Sequence, residues 1–354
     1  MQSIRVGSRS IGPGHPAFLV AEIGINHNGD MQLAKHMIDA AIATGADAVK
    51  FQNYRTEDFL SDYTLTYTYQ SQGQSITESQ FDMFKRCELS AVQLKDLNDY
   101  CEKNNIVFFS TPTGNDGIQD LVNVGSPLLK NGSDYLTHLP LIQSMARTGL
   151  PTILSTGMAT LEEITDAVRS FEKAGGKKLI ILHCTSSYPT PASEVNLRKI
   201  STLMTTFNYP VGLSDHSWGT TAALGSIVLG ACFIEKHFTL NKNLPGPDHR
   251  FSSDPEEFTE LVKRVREIEQ NIGSFEIKPT ASELPNRINF RLSCVANGDL
   301  PEGHTLTLKD IGFRRPGHGL PPKKAETLIG KILKNKIKHG DVFQMDQFED
   351  TKST

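Results

Sequence analysis

The sequence predicts an α/β protein, a (β/α)8 TIM barrel followed by a small β-rich domain. Between residues 18 and 272, short apolar runs alternate with stretches of helical period. The runs number eight, and the span they occupy is the size of one barrel. After Gly273 the helical pattern stops and short, turn-rich runs take over. An open doubly wound sheet is the competing arrangement and accounts less well for the size.

The strands are expected at 18–23, 46–51, 106–110, 127–130, 151–155, 179–184, 210–213 and 231–235. Two helix starts are written out plainly. Thr160-Leu-Glu-Glu163 is a capping box, followed by Ile164, Ala167, Val168 and Phe171 on one face. Asp254-Pro255-Glu-Glu257 is an N-cap with proline at the first helical position, followed by Phe258, Leu261, Val262, Val265 and Ile268. Residues 53–88 are too long and polar for a plain βα loop, and predict an excursion over the barrel mouth ending in a helix. The domains then read as a catalytic barrel at 1–273, a linker at 274–288 marked by Pro279 and Pro285, and a module at 289–354. Within the module, Gly303-His-Thr-Leu306…Ile311 and Gly340-Asp-Val-Phe343…Phe348 echo each other and suggest pseudo-symmetry.

Composition narrows the class. The 354 residues carry a formal charge of −4 and no long block of one sign, which gives no reason to expect a nucleic-acid partner. No apolar stretch approaches membrane-spanning length, and the opening MQSIRVGSRS lacks a leader's apolar core. The five cysteines are scattered without a CxxC pair, which argues against a disulfide scaffold and for a reducing cytoplasm.

Chemistry in a barrel collects where the strands end. Those ends carry Glu22 (strand 1), Lys50 and Gln52 (strand 2), Thr111 (strand 3), and Lys130 and Ser133 (strand 4). Ser155 (strand 5), Tyr188 just beyond strand 6, Ser214 and His216 (strand 7) and His237 (strand 8) complete the rim. Polar groups at every end predict a polar substrate. Lys50, Thr111, Lys130, Ser133 and Ser155 come from neighbouring strands, and two ammonium groups among hydroxyls suit a phosphate dianion. Lysines snorkelling from the rim, or a Schiff-base lysine at Lys50 or Lys130, are the competing readings. His216 and His237 end adjacent strands, close enough for both imidazoles to reach one divalent ion and leave positions open for a carbonyl oxygen. Singly, each is more often a structural histidine bonded to a carbonyl.

The residues now in hand resemble those of the sialic acid synthase family. The matching stretches include Ala21-Glu-Ile-Gly-Ile-Asn-His-Asn-Gly29, Gly45-Ala-Asp-Ala-Val-Lys-Phe-Gln52, Ser155-Thr-Gly-Met158 and His183-Cys-Thr185. Gly212-Leu-Ser-Asp-His216, Glu235-Lys-His-Phe238 and Gly246-Pro-Asp-His249 follow in the family's order. The tail resembles the family's antifreeze-like SAF domain, with Arg314-Arg-Pro-Gly-His-Gly319 as its marker. The resemblance implies a phosphoenolpyruvate-dependent transferase that joins phosphoenolpyruvate to an open-chain N-acylated amino sugar. Water adds and phosphate leaves. It implies Mn2+, or another divalent ion such as Mg2+ or Co2+, on His216 and His237. It implies phosphoenolpyruvate held by Lys50, Gln52, Thr111, Lys130, Ser133 and Ser155, with Ser214 nearby. Glu22 becomes a candidate acid or base, and Tyr188 and Asp248 candidate sugar contacts. Arg315 is implied to reach the N-acyl group from the partner in a head-to-tail, domain-swapped homodimer.

The chain departs from the family at one point. Relatives carry a carboxylate two residues after the strand-4 serine, where this chain reads Gly132-Ser133-Asp134-Tyr135. Asp134 takes that role only if the backbone shifts locally. N-acetylmannosamine as acceptor would yield N-acetylneuraminate; a 6-deoxy diacetamido sugar would yield legionaminic or pseudaminic acid. A reading of another class is a carbohydrate- or ice-binding protein on an inactive barrel.

Overall fold

The computed structural model describes residues 2–349; Met1 and residues 350–354, the end of the module expected at 289–354, lie outside them. The chain divides into two compact units, Met1–Gly273 and Ser274–Thr354. In the first, eight parallel strands form one sheet: β1 (Phe18–Gly24), β2 (Ala48–Asn53), β3 (Val107–Pro112), β4 (Leu129–Asn131), β5 (Thr152–Ser155), β6 (Leu179–Cys184), β7 (Val211–Asp215) and β8 (Phe233–His237). The ladder runs β3-β2-β1-β8-β7-β6-β5-β4, and β3 packs beside β4 across the remaining seam. This is the expected barrel, with each expected strand bound within about two residues.

Strand alternation builds two layers. Leu19, Ala21, Val49, Phe51, Leu213 and Ile234 point outward, into a buried shell shared with the helices. Phe18, Val20, Phe109, Ile153, Leu182 and Phe233 point inward and fill the N-terminal half of the barrel. Gly212 is one of these inward positions, and a Cβ there would stand 2.5 Å from the Phe233 carbonyl oxygen. An unpredicted hairpin, Ile4–Val6 paired with Arg9–Ile11, adds Ile4, Val6 and Ile11 to this plug. Its strands are too short for a periodicity signal. The plug is apolar, so the polar inward positions all lie toward the strands' C-terminal ends.

Both expected capping boxes form, Thr160 with Glu163 and Asp254 with Glu257. The excursion does end in a helix, Gln80–Cys87, but it also contains a hairpin, Thr66–Ser71 with Gln74–Ser79. The hairpin turns at Gln72-Gly73, both with positive φ (51° and 76°), the geometry of a type I′ turn. Its tip is tied to the loop after β8 by Gln72 Nε2 donating to the Asn243 carbonyl (3.1 Å) and the Gly246 amide donating to Ser71 Oγ (3.3 Å).

In the second unit, Ser293–Ala296 pairs antiparallel with Ile311–Arg314. The two echoing phrases both serve its core, which takes Leu306 and Ile311 from one, Phe343 and Phe348 from the other. Each contains a capped 3-10 turn, at Leu308–Asp310 and Met345–Gln347. The segment expected as linker differs from expectation in holding a helix, Leu284–Asn289. Thr280 and Glu283 box the turn before it, and Pro285 sits in its first turn, where no amide bond is lost.

Two buried imidazoles in the barrel unit are held neutral. His27 accepts from the Gly29 amide (3.1 Å), and His249 contacts Thr239 Oγ1 (2.7 Å); burial lowers both to about 4. A folded value below the ordinary 6.5 means that the unfolded chain binds the extra proton. Their stabilisation is therefore complete above pH 6.5 and lost as pH falls through 4, about 3 kcal/mol each at most. Glu22 and Asp248, whose values are raised, act with the opposite sign, so the readout is a difference between proteins. Urea unfolding from pH 7.5 to 4.5 should show wild type losing more stability than a His27→Gln, His249→Gln variant. A pH-independent gap between the two would reject the assignment.

Candidate active site

Ladder register sets the inward polar groups side by side. Lys50 on β2 is level with Glu22 on β1, and Glu22 is level with His237 on β8. Gln52 is level with Thr111 on β3, and Ser214 on β7 with Glu235 on β8. They open on a cavity of about 520 Å3, within the range of small-molecule sites. Glu22, Lys50, Gln52, Thr111, Lys130 and Ser133 line it, as do Asp134, Ser155, Tyr188, Ser214, His216, His237 and Asp248. Thus every candidate from the barrel comes to one place. Arg315 belongs to the second unit, where its guanidinium lies 5.0 Å from the centre of the Phe290 ring.

The deepest part is a cluster of four buried charges. Lys50 Nζ stands 2.8 Å from Glu22 Oε2 and 3.8 Å from Glu235 Oε1. Lys130 Nζ stands 3.4 Å from the same Glu235 oxygen, which also accepts from Ser214 Oγ at 3.1 Å. Lys50 also donates to Thr111 Oγ1 (3.2 Å), and Gln52 Nε2 to Glu22 Oε1 (3.2 Å). The carboxylates diverge. Burial raises Glu22 to about 7, against the attraction of Lys50 and with repulsion from Glu235. Burial would raise Glu235 as well, but Lys130 and Lys50 outweigh it and hold it below the usual range. The two acids therefore sit in unlike protonation regimes, the condition for separate acid and base roles.

Ser133 Oγ accepts from the Gly157 amide (3.0 Å), so the loops after strands 4 and 5 are joined beside the cavity. A Cβ at Gly157 would lie 2.2 Å from Ser186 Oγ, which keeps that approach open to glycine. Asp134 and Tyr135 both line the cavity, from a 3-10 turn at Ser133–Tyr135. The carboxylate thus reaches the site one residue early in sequence.

The imidazoles of His216 and His237 lie 5.4 Å apart, with Tyr188 4.2 Å from the first and Phe251 5.0 Å from the second. His216 Nδ1 lies 2.9 Å from the Thr185 carbonyl and must be the protonated nitrogen, which leaves Nε2 with its lone pair. His237 Nδ1 is buried without a hydrogen-bond partner, 3.8 Å from Asp248 Oδ2. Burial, with repulsion from the neighbouring cations, holds His237 well below its ordinary value, in the form that ligates metals. Burial alone would lower His216 too, but contact with Cys184 Sγ at 3.9 Å raises it, so a metal there competes with a proton. Among the described residues no three His, Cys, Asp or Glu side chains are placed to hold a metal together. The two imidazoles therefore fit an ion that completes its shell with water or substrate oxygen.

Glu235 was not among the sequence candidates, although its place two residues before His237 on the same strand face marks it as inward. Phe59, Tyr67, Met83 and Phe84, all from the excursion, also line the cavity. They sit in a segment without sustained periodicity, where no such signal exists.

The description "NeuB family" matches residues 37–277, and "SAF domain" matches residues 293–349. The chain is similar to N,N'-diacetyllegionaminic acid synthase of Legionella pneumophila, 37% identical over 347 residues, covering 97% of this chain and 98% of that one. It is similar to pseudaminic acid synthase of Campylobacter jejuni, 31% identical over 332 residues, covering 94% of this chain and 96% of that one. Among solved structures, N-acetylneuraminic acid (sialic acid) synthetase of Leptospira borgpetersenii superposes with a TM-score of 0.73 at 35% identity, covering 80% of this chain and 95% of that one. Barrel, polar rim and C-terminal module thus define a carbon–carbon bond-forming synthase. The chain belongs to the NeuB family of nonulosonic acid synthases and carries that family's SAF domain.

Proposed function

We propose that the protein condenses phosphoenolpyruvate with an open-chain N-acylated amino sugar, N-acetylmannosamine or a relative, and water, releasing phosphate. The observation that carries this reading is one cavity holding two buried lysines among hydroxyls and, beside them, two buried imidazoles. In the reaction a bond forms between C3 of phosphoenolpyruvate and the aldehyde carbon. Water adds at C2, the C2–oxygen bond to phosphorus-bearing oxygen breaks, and a ketone remains. Lys50, Lys130, Thr111, Ser133 and Ser155 bind the phosphate and carboxylate, with Gln52 and Ser214 beside them. His216 and His237 would hold a divalent ion such as Mn2+, which would supply Lewis acidity at the aldehyde. Glu22, poised near neutrality by burial and oriented by Gln52 and Lys50, delivers a proton to the aldehyde oxygen as it becomes a hydroxyl. Asp134 accepts the proton of the adding water, and Tyr188 and Asp248 hold the sugar. A 6-deoxy diacetamido acceptor is the second reading, favoured by similarity to the Legionella synthase and by the aromatic wall of the cavity. All five cysteines are unpaired and buried, and no helix among the described residues is long and apolar enough to cross a membrane. A cytoplasmic place agrees with both.

Phosphate should appear only when phosphoenolpyruvate and the amino sugar are both present, and chelation should stop it. His237→Ala should lose bound metal and at least about a hundredfold in turnover, as expected for removing a major electrostatic contribution, with the circular dichroism unchanged. Borohydride trapping should leave Lys50 and Lys130 unmodified. A reduced adduct on either would replace this mechanism with a Schiff-base aldolase.

We further propose that Arg315 reaches the N-acyl group from the partner in a domain-swapped homodimer, a reading supported by the family motif at Arg314-Arg-Pro-Gly317. Arg315→Ala and His237→Ala should each be nearly inactive alone. Refolded together in equal amounts they should recover about a quarter of wild-type activity, because half the dimers are mixed and carry one intact site. Verified mixed dimers without recovery would place Arg315 in its own chain's site.

A further inference from the structure

The two imidazoles are not held alike. His237 is the last residue of β8 and still lies in the ladder, level with Glu22 on β1. The next amide, that of Phe238, donates to the Glu22 carbonyl (2.7 Å). His216 stands one residue past the end of β7, beyond the last rung shared with β8, which sets Asp215 beside Lys236. Its own contacts lead the other way. Nδ1 meets the Thr185 carbonyl (2.9 Å), and the His216 carbonyl accepts from the Thr190 amide (2.9 Å), both in the chain after β6. The tie from this end of β7 to β8 lies on the outward face. Lys236 Nζ donates to Asp215 Oδ2 (2.8 Å) and to the Ser217 carbonyl (2.6 Å). Asp215 Oδ1 accepts from the Ser217 amide (2.9 Å) and hydroxyl (2.6 Å). The residues on either side of His216 are thus gripped by one ammonium group, carried by the residue before His237. Asp215, Lys236 and Ser217 are all buried, and none of the three lines the cavity.

For stability alone, a buried ion pair is no better than an apolar pair of the same volume. What an apolar pair lacks is direction: it cannot hold a carbonyl oxygen beyond the strand end. Direction matters here, because a divalent ion sits about 2 Å from each imidazole nitrogen that binds it, and their spacing tolerates little drift. We propose that Lys236 and Asp215 are positioning residues, a clamp that holds His216 where its imidazole and that of His237 close on one divalent ion. This rests on the metal site proposed above and adds the residues that keep its geometry.

Binding of Mn2+ alone to the full chain, read from the electron paramagnetic resonance signal of the free ion, tests this without turnover. Lys236→Met by itself leaves Asp215 buried without a counter-charge and endangers the fold, so it is combined with Asp215→Ala and both charges go together. The double variant should keep the wild-type circular dichroism and bind Mn2+ about ten- to a hundredfold more weakly, as when a group that orients a metal ligand is lost. With chelator present, its affinity for phosphoenolpyruvate should stay at the wild-type value, since Lys50 and Lys130 lie outside the clamp. A general loosening of the barrel would weaken both ligands. Lys236→Arg, which keeps the charge and the donors, should hold Mn2+ within a few-fold of wild type. Wild-type Mn2+ affinity in the double variant, or a parallel loss of Mn2+ and phosphoenolpyruvate, would overturn the clamp while the metal site stands. Wild-type Mn2+ affinity in His237→Ala would overturn the metal site itself, and the clamp with it.

Discussion

Two ammonium groups and two carboxylates share a buried space inside the barrel, and much of the site is arranged around keeping them there. Lys50, Lys130, Glu22 and Glu235 are each less than 5% exposed. None is tolerable alone at that depth, since an unpaired buried ion costs several kcal/mol. Their separations follow from the strand register, so the parallel ladder is what makes the cluster affordable. The plug of Phe18, Phe109 and Phe233 beneath it fills the other end of the barrel without polar atoms. Glu235 is shared between the two lysines, so any anion placed between them would compete with it in a low-dielectric place.

The histidine pair depends on the same ladder. His237 follows Glu235 on the inward face of β8, and His216 follows Ser214 on β7. The outward neighbours Asp215 and Lys236 form their own ion pair at 2.8 Å, away from the cavity, and thereby brace the strands that carry the imidazoles. One alternation thus sets an ion pair outside and the imidazole pair inside.

The excursion adds what the rim lacks. The strand ends supply charge and hydroxyls, and the segment between β2 and β3 supplies carbon. Its hairpin is tied to the loop after β8, which brings that carbon surface to the loop bearing Asp248. Charge and carbon surface are therefore supplied by different parts of one cavity, as expected when a fixed barrel is varied through its loops.

Much of this was legible in the sequence. The alternation of apolar runs with stretches of helical period located the barrel, and the capping boxes at Thr160 and Asp254 located two helix starts, because both signals are local. Lys50 and Gln52 could be assigned to one face from their spacing alone. The hairpin at 66–79 escaped because Gln72-Gly73 is a less familiar type I′ pair and its strands are polar on both faces. The helix at Leu284–Asn289 was hidden by prolines that read as breaks but tolerate a first turn. Only the tertiary structure decided that Glu235 bridges Lys50 and Lys130, that Asp134 reaches the cavity, and that Phe59, Met83 and Phe84 line it. The reason is physical: periodicity tells which way a side chain leaves its own strand, whereas the distance between charges on different strands is set by register and closure, which exist only once the barrel has formed.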